Sequence, residues 1–150
     1  MAQSLSKIYV HIVFHTKYSQ PLIQPQIEPE LFAYMGAIIK TNDSIPIKIN
    51  GTENHVHILA ILSKNIALSK LLEEIKRNSS RWIKTKGKEF KEFKWQGGYG
   101  AFSVSDKGVE NVKRYIENQK EHHKKVSFKE EYIKLLEEHG VAYDERYLWT

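Results

Sequence analysis

Residues 55 to 62, reading HVHILAIL, are the most apolar segment of the chain, and their aliphatic, partly β-branched make-up marks a central strand. Side chains two apart on a strand share a face. Val56, Ile58, Ala60 and Leu62 therefore form a packing face, and His55 and His57 stand together on the other. Around this strand the pattern alternates. Residues 7–16 (KIYVHIVFHT) read as a strand, and Pro21, Pro25 and Pro29 mark a loop. Leu31, Tyr34, Met35, Ile38 and Ile39 recur at helical spacing and predict a helix over 29–41, with Asn42 and Asp43 at its end. Residues 45–51 predict a second strand, joined to 55–62 by a turn containing Gly51 and Asn54.

Leu68, Leu71, Leu72, Ile75, Ser79, Trp82 and Ile83 continue a helical stripe over four turns. A Lys/Glu-rich connection over 85–94 leads to a short strand near 99–105. Ser105 or Asp106 can cap a helix over about 108–123, and Ser127 with Glu130 makes a capping box for a helix ending near Gly140. Without the last two helices the order is β-α-β-β-α-β. That order predicts an α+β, ferredoxin-like (RRM-like) fold, an antiparallel four-stranded sheet with two helices on one face. The remaining helices are free to cover the opposite face. At 150 residues the expectation is a single domain over 1–150, with a core over about 7–123 and a helical tail over about 127–150.

The chain carries 23 Lys+Arg against 18 Asp+Glu, a net charge of +5. Ten of the basic residues and only four of the acidic ones lie between Lys64 and Lys94, so the excess sits in one segment, as a polyanion-facing surface would require. On the helix at 68–84, Lys70, Arg77, Arg81 and Lys84 cluster opposite the apolar stripe, as candidate phosphate contacts; a solvated helix face would look the same. Trp82, Phe90, Phe93, Trp95 and Tyr99 among these charges suit either base stacking or a core. There is no cysteine, which excludes disulfides, Cys-ligated zinc, iron–sulfur clusters and thiol nucleophiles. No 18-residue apolar run spans a bilayer, and Ile8 to Phe14 lacks the features of a signal peptide, so no membrane partner and a cytoplasmic location are expected.

Two histidines displayed on one strand face are a ready pair of metal ligands, or else two partly buried imidazoles bonded to neighbours. Tyr115 and Gln119 lie one turn apart on the same side of their helix. Laid over the open sheet face, that helix would aim a phenol and a neutral oxygen ligand at the histidines. His11, His15, His122 and His123 read as strand-surface or helix-end residues and stay outside this metal site.

His55-Val56-His57 resembles the His-hydrophobic-His motif of the HUH nucleases. Tyr115-Ile116-Glu117-Asn118-Gln119 resembles the Tyr-x-x-x-Gln helix of their single-tyrosine transposases from small bacterial insertion sequences, the IS200-like transposases. The similarity extends to Thr16-Lys17-Tyr18, to Ser69 to Ser80 and to Trp95 to Ser105, and spans about residues 7–123. Ser19 departs from it, standing where a basic run should continue. The resemblance implies a C-terminal catalytic helix and cleavage and rejoining of single-stranded DNA at hairpin-flanked element ends. Tyr115 would form a 5′-phosphotyrosine, Mg²⁺ or Mn²⁺ would be held by His55, His57 and Gln119, and Lys17 would contact DNA. It also implies a homodimer in which the tyrosine helix of one subunit can complete its partner's site. The alternatives are a domesticated nuclease cleaving repeats and a non-catalytic single-stranded nucleic-acid-binding module. A base-stacking sheet would need aromatics where His55 and His57 stand. A histidine-triad hydrolase would need a histidine at Leu59, and a two-histidine phosphoesterase Ser or Thr at His57.

Overall fold

A computed structural model describes residues 2–150. The chain runs β1 (Ile8–His15), α1 (Glu28–Thr41), β2 (Ile45–Gly51), β3 (His55–Leu62), α2 (Leu68–Lys84), β4 (Gly100–Val104), α3 (Val109–Glu117), α4 (Gln119–His122), α5 (Phe128–Glu138) and α6 (Glu145–Leu148). The sheet order is β2-β3-β1-β4 and every pairing is antiparallel, which is the ferredoxin-like arrangement. Pro46 falls on the edge strand β2, where the ladder slips between Pro46 and Lys48; an edge is where a missing N–H is tolerated. At the β2–β3 turn a Cβ on Gly51 would lie 2.1 Å from the His55 carbonyl oxygen, so only glycine lets the chain enter β3 this closely.

Alternation along β1 and β3 builds two cores. Val10, Ile12 and Phe14 of β1 and Val56, Ile58 and Ala60 of β3 pack under α1 and α2 with Leu31, Met35, Leu71 and Ile75. Phe90, Phe93 and Trp95 close this core, and Trp95 Nε1 donates to the buried Ser79 Oγ at 3.0 Å. Trp82 stacks on Tyr34 with ring centroids 4.9 Å apart. Of the aromatics that suited either base stacking or a core, these four are therefore packing groups. The opposite sheet face carries a second core, in which Val13 and Phe102 meet Phe128, Tyr132 and Leu136 of α5, with Leu148 and Trp149 packed alongside. The C-terminal helices thus cover the histidine face, as their surplus in the sequence pattern predicts.

The helix expected over 108–123 is divided. It stops at Glu117 and resumes at Gln119, with Asn118 at φ −93° and ψ 13°. Asn50 Nδ2 on β2 donates to the Ile116 and Glu117 carbonyl oxygens at 2.9 and 3.3 Å, occupying acceptors that a continuous helix would use itself. Ser105 caps the turn before α3 by accepting from the Gly108 N–H, and Ser127 Oγ caps α5 by accepting from Glu130 N–H at 3.2 Å. Among the described residues no helix is long and apolar enough to cross a membrane.

Candidate active site

β3 enters the sheet at His55, so its two outward-facing imidazoles lie under the α3–α4 break and the first turns of α5. His55 and His57 are fully buried, with ring centroids 5.2 Å apart. Gln119 is buried on α4 and its Oε1 stands 3.0 Å from His55 Nε2. Tyr115 projects from α3 with its ring 5.7 Å from that of His57. The structure therefore brings together His55, His57, Tyr115 and Gln119, all within one chain.

Two further side chains enter from beyond α3, and sequence reasoning missed both. Glu131, 3% exposed on α5, places Oε1 2.9 Å from His57 Nε2 and 3.1 Å from His123 Nε2. Its Oε2 accepts from Gln119 Nε2 at 3.0 Å and from the Tyr115 hydroxyl. His123 Nε2 also lies 3.0 Å from Gln119 Oε1, so an imidazole set aside on sequence grounds stands within the same cluster. A signal for Glu131 did exist. It sits on the apolar stripe Phe128, Tyr132, Leu135, Leu136, where a carboxylate has no reason to be unless something polar receives it.

The electrostatics follow from burial. Burial, with His57 alongside, holds the His55 imidazole well below its ordinary value and hence neutral. Burial pushes the Glu131 carboxyl up, but hydrogen bonds from His123 and His57 outweigh it and keep the group ionised. Burial raises the Tyr115 phenol well above 10, and the Glu131 charge raises it further. Burial acts most strongly on His123 and lowers it, but the hydrogen bond to Glu131, the Glu131 charge and the hydrogen bond to the Val126 carbonyl together leave it above the ordinary value. His11 Nε2 meets His57 Nδ1 at 2.8 Å and so fixes the ring that faces Glu131, the way an outer partner orients a ligating imidazole.

His11 is lowered from 6.5 to about 3, by burial and then by His57. Between those values the unfolded chain binds a proton that the folded chain refuses. Folding stability should therefore fall as the pH drops from 6.5 toward 3, by up to about 1.4 kcal/mol per pH unit from this group. Urea titrations of the metal-free wild type and His11→Asn between pH 7 and pH 4 measure it as the difference between their pH slopes, which removes the opposed shifts of His55 and His123; equal slopes would contradict a neutral buried His11.

Ligand atoms of His55, His57, His123 and Glu131 all lie within 4.8 Å of one another. Three imidazole nitrogens and one carboxylate oxygen, with an amide oxygen beside them, are a donor set that suits a divalent cation. The other sequence-derived candidates lie apart. Lys70, Arg77, Arg81 and Lys84 are exposed on the outer side of α2, across the sheet from the histidines. Two of them are already engaged, Lys70 with Glu73 and Glu74 and Arg77 with the same pair. Lys17 follows β1 at the sheet end where β3 begins, half-buried, with its Nζ 5.5 Å from the Tyr18 ring centroid.

The family model described as "Transposase IS200 like" matches residues 4–119. No curated protein matches the sequence. Among solved structures, a candidate transposase from Deinococcus radiodurans is similar at 20% identity and a TM-score of 0.61, over 79% of this chain and 98% of that one. A REP-associated tyrosine transposase bound to a REP hairpin is similar at 13% identity and a TM-score of 0.54, over 79% of this chain and 72% of that one. The family match contains Tyr115 and Gln119 and ends before His123 and Glu131.

Proposed function

This chain belongs to the IS200-like transposase family, and from that premise we propose that it cuts and rejoins single-stranded DNA beside a hairpin, with Tyr115 as the nucleophile. The observation that carries the proposal is the convergence of Tyr115, His55, His57 and Gln119 on one buried point, the Glu131 carboxylate. In the reaction, Tyr115 Oη bonds to the scissile phosphorus while the bond to the 3′-oxygen breaks, leaving a 5′-phosphotyrosine and a free 3′-hydroxyl. Burial keeps the phenol protonated beforehand, so the proton must leave Oη as attack proceeds, and Glu131 Oε2 is the acceptor placed to receive it. The departing 3′-oxygen takes up one proton, so none is lost or gained overall. The phosphotyrosine keeps the phosphodiester's free energy, and attack by a different 3′-hydroxyl rejoins strands without ATP. His55, His57 and Gln119 would hold Mg²⁺ or Mn²⁺, with His123 and Glu131 in reach as added ligands, and the cation would polarise the phosphate and offset its developing charge.

Labelled single-stranded oligonucleotides containing hairpins from the gene's own flanks, mixed with protein and Mn²⁺ or Mg²⁺, should yield a denaturant-resistant covalent adduct. Tight binding with no adduct would leave a binding module without chemistry. The likeness to a fold seen bound to a hairpin supports hairpin DNA as the ligand class to try first.

Lys70, Arg77, Arg81 and Lys84 remain the proposed backbone contacts, and their place across the sheet supports a part in holding DNA rather than in cleavage. If each neutralises one phosphate on single-stranded DNA, log K should fall against log salt with a slope of about −3. Replacing all four with Gln should flatten that slope in a fluorescence-anisotropy titration and leave the site's metal binding intact.

A further inference from the structure

Beside the Tyr115 ring opens a cavity of about 720 Å³, in whose lining the chemistry above uses only Tyr115 and Glu131. Its floor is the sheet face at His11 and Phe102, one wall is α3 at Val112, and the other is α5 at Leu135 and Glu138. The α5 wall lies beyond the residues that the family model matches.

A phosphodiester held at Tyr115 brings with it the bases of the two nucleotides it joins. A base outside a duplex stack needs a flat apolar surface for its ring and hydrogen-bond partners for its edge. The cavity offers both. The exposed His139 ring lies over the buried Phe102 ring with 4.4 Å between centroids, and it presents the flat aromatic surface. His139 Nδ1 donates to the Leu135 carbonyl at 2.8 Å, so Nε2 of the neutral ring is an acceptor. Glu130, Glu131 and Glu138 also line the cavity, against a single cation, Lys134, which lies 3.9 Å from Glu138. A predominantly acidic lining repels a phosphate but accepts hydrogen bonds from a neutral base. Resting on the strand-cleaving function, we propose that this cavity receives one unstacked nucleobase adjoining the scissile phosphate. Adenine or cytosine suits it better than thymine, because their exocyclic amino groups can donate to the acceptors on the rim. The α5 wall then selects which sequence is cut.

Two measurements test this. Deoxyadenosine, deoxycytidine and thymidine, each at millimolar concentration, are compared by saturation-transfer NMR. Base-proton signals should be strong for the first two, weak for thymidine, and lost in Leu135→Trp and Val112→Phe, which fill the cavity from opposite walls. Near-UV circular dichroism identifies any variant that fails to fold, and the other then carries the test. In parallel, a hairpin oligonucleotide pool randomised at the nucleotides flanking the cut is sequenced after covalent capture. Enrichment of adenine or cytosine at one flanking position in wild type, abolished by the filling variants, supports the proposal. It is overturned if thymidine gives equal signals, if no nucleoside gives any, or if the captured sequences are the same with the cavity filled. Nucleoside binding without any adduct would instead sink the cleavage function while leaving the base site standing.

Discussion

The Tyr115→Phe protein should fold and bind hairpin DNA as wild type does, and yet form no covalent adduct, with cleavage lowered by roughly 10⁴-fold or more. The expectation rests on what the substitution spares. Phenylalanine keeps the ring that lies 5.7 Å from His57 and 6.2 Å from His11, so packing on the sheet is unchanged. Only the hydroxyl is lost, and with it one of the hydrogen bonds to Glu131, while His57, His123 and Gln119 continue to satisfy that carboxylate. The cost in stability should be about 0.5–1.5 kcal/mol. With no cysteine in the chain, no thiol can replace the phenol. Denaturing gels with labelled oligonucleotide check the result. An adduct that persists in the variant would move the nucleophile elsewhere.

Tyr132→Ala should be the most damaging single change outside the larger core. Tyr132 is 2% exposed and stacks on Phe128 with centroids 5.5 Å apart. It also presses on β4 so closely that a Cβ on Gly100 would come within 2.8 Å of its ring. Removing a buried ring of this size costs about 3–5 kcal/mol. For a chain of this length each kcal/mol lowers Tm by about 2–4 °C, so a fall of roughly 6–20 °C is expected by calorimetry. The neighbouring residue is Glu131, so if Mn²⁺ or Mg²⁺ raises the Tm of wild type, that rise should shrink as well. An unchanged melting curve would mean that α5 contributes nothing to the folded state.

The ferredoxin-like order was legible because both central strands and both large helices carry clean periodicity. β2 and β3 coincide with the segments read from alternation, and the pairing of His55 with His57 follows from the two-residue repeat alone. The break at Asn118 was not legible, since it depends on an Asn50 side chain 66 residues away from Ile116 in sequence. Tyr115 and Gln119 were found through the spacing of a recognisable motif. His123 and Glu131 belong to no such motif and meet the others only once α5 has docked. The basic face of α2 was visible as composition, and its separation from the histidines follows from the predicted order, which puts α1 and α2 on the apolar face of β3 and His55 and His57 on the other.

The interruption at Asn118 has a mechanical meaning. α4 has anchors of its own besides the Asn50 side chain it shares with α3: Lys120 Nζ reaches Glu28 at 2.9 Å and the Gly51 carbonyl at 3.2 Å. α3 buries only Ile116. The phenol and the amide therefore ride on two short levers that share a joint, not on one rigid rod. A displacement of Tyr115 need not drag Gln119 off the imidazoles, so under the proposed function the nucleophile could travel while the ligand set stays assembled.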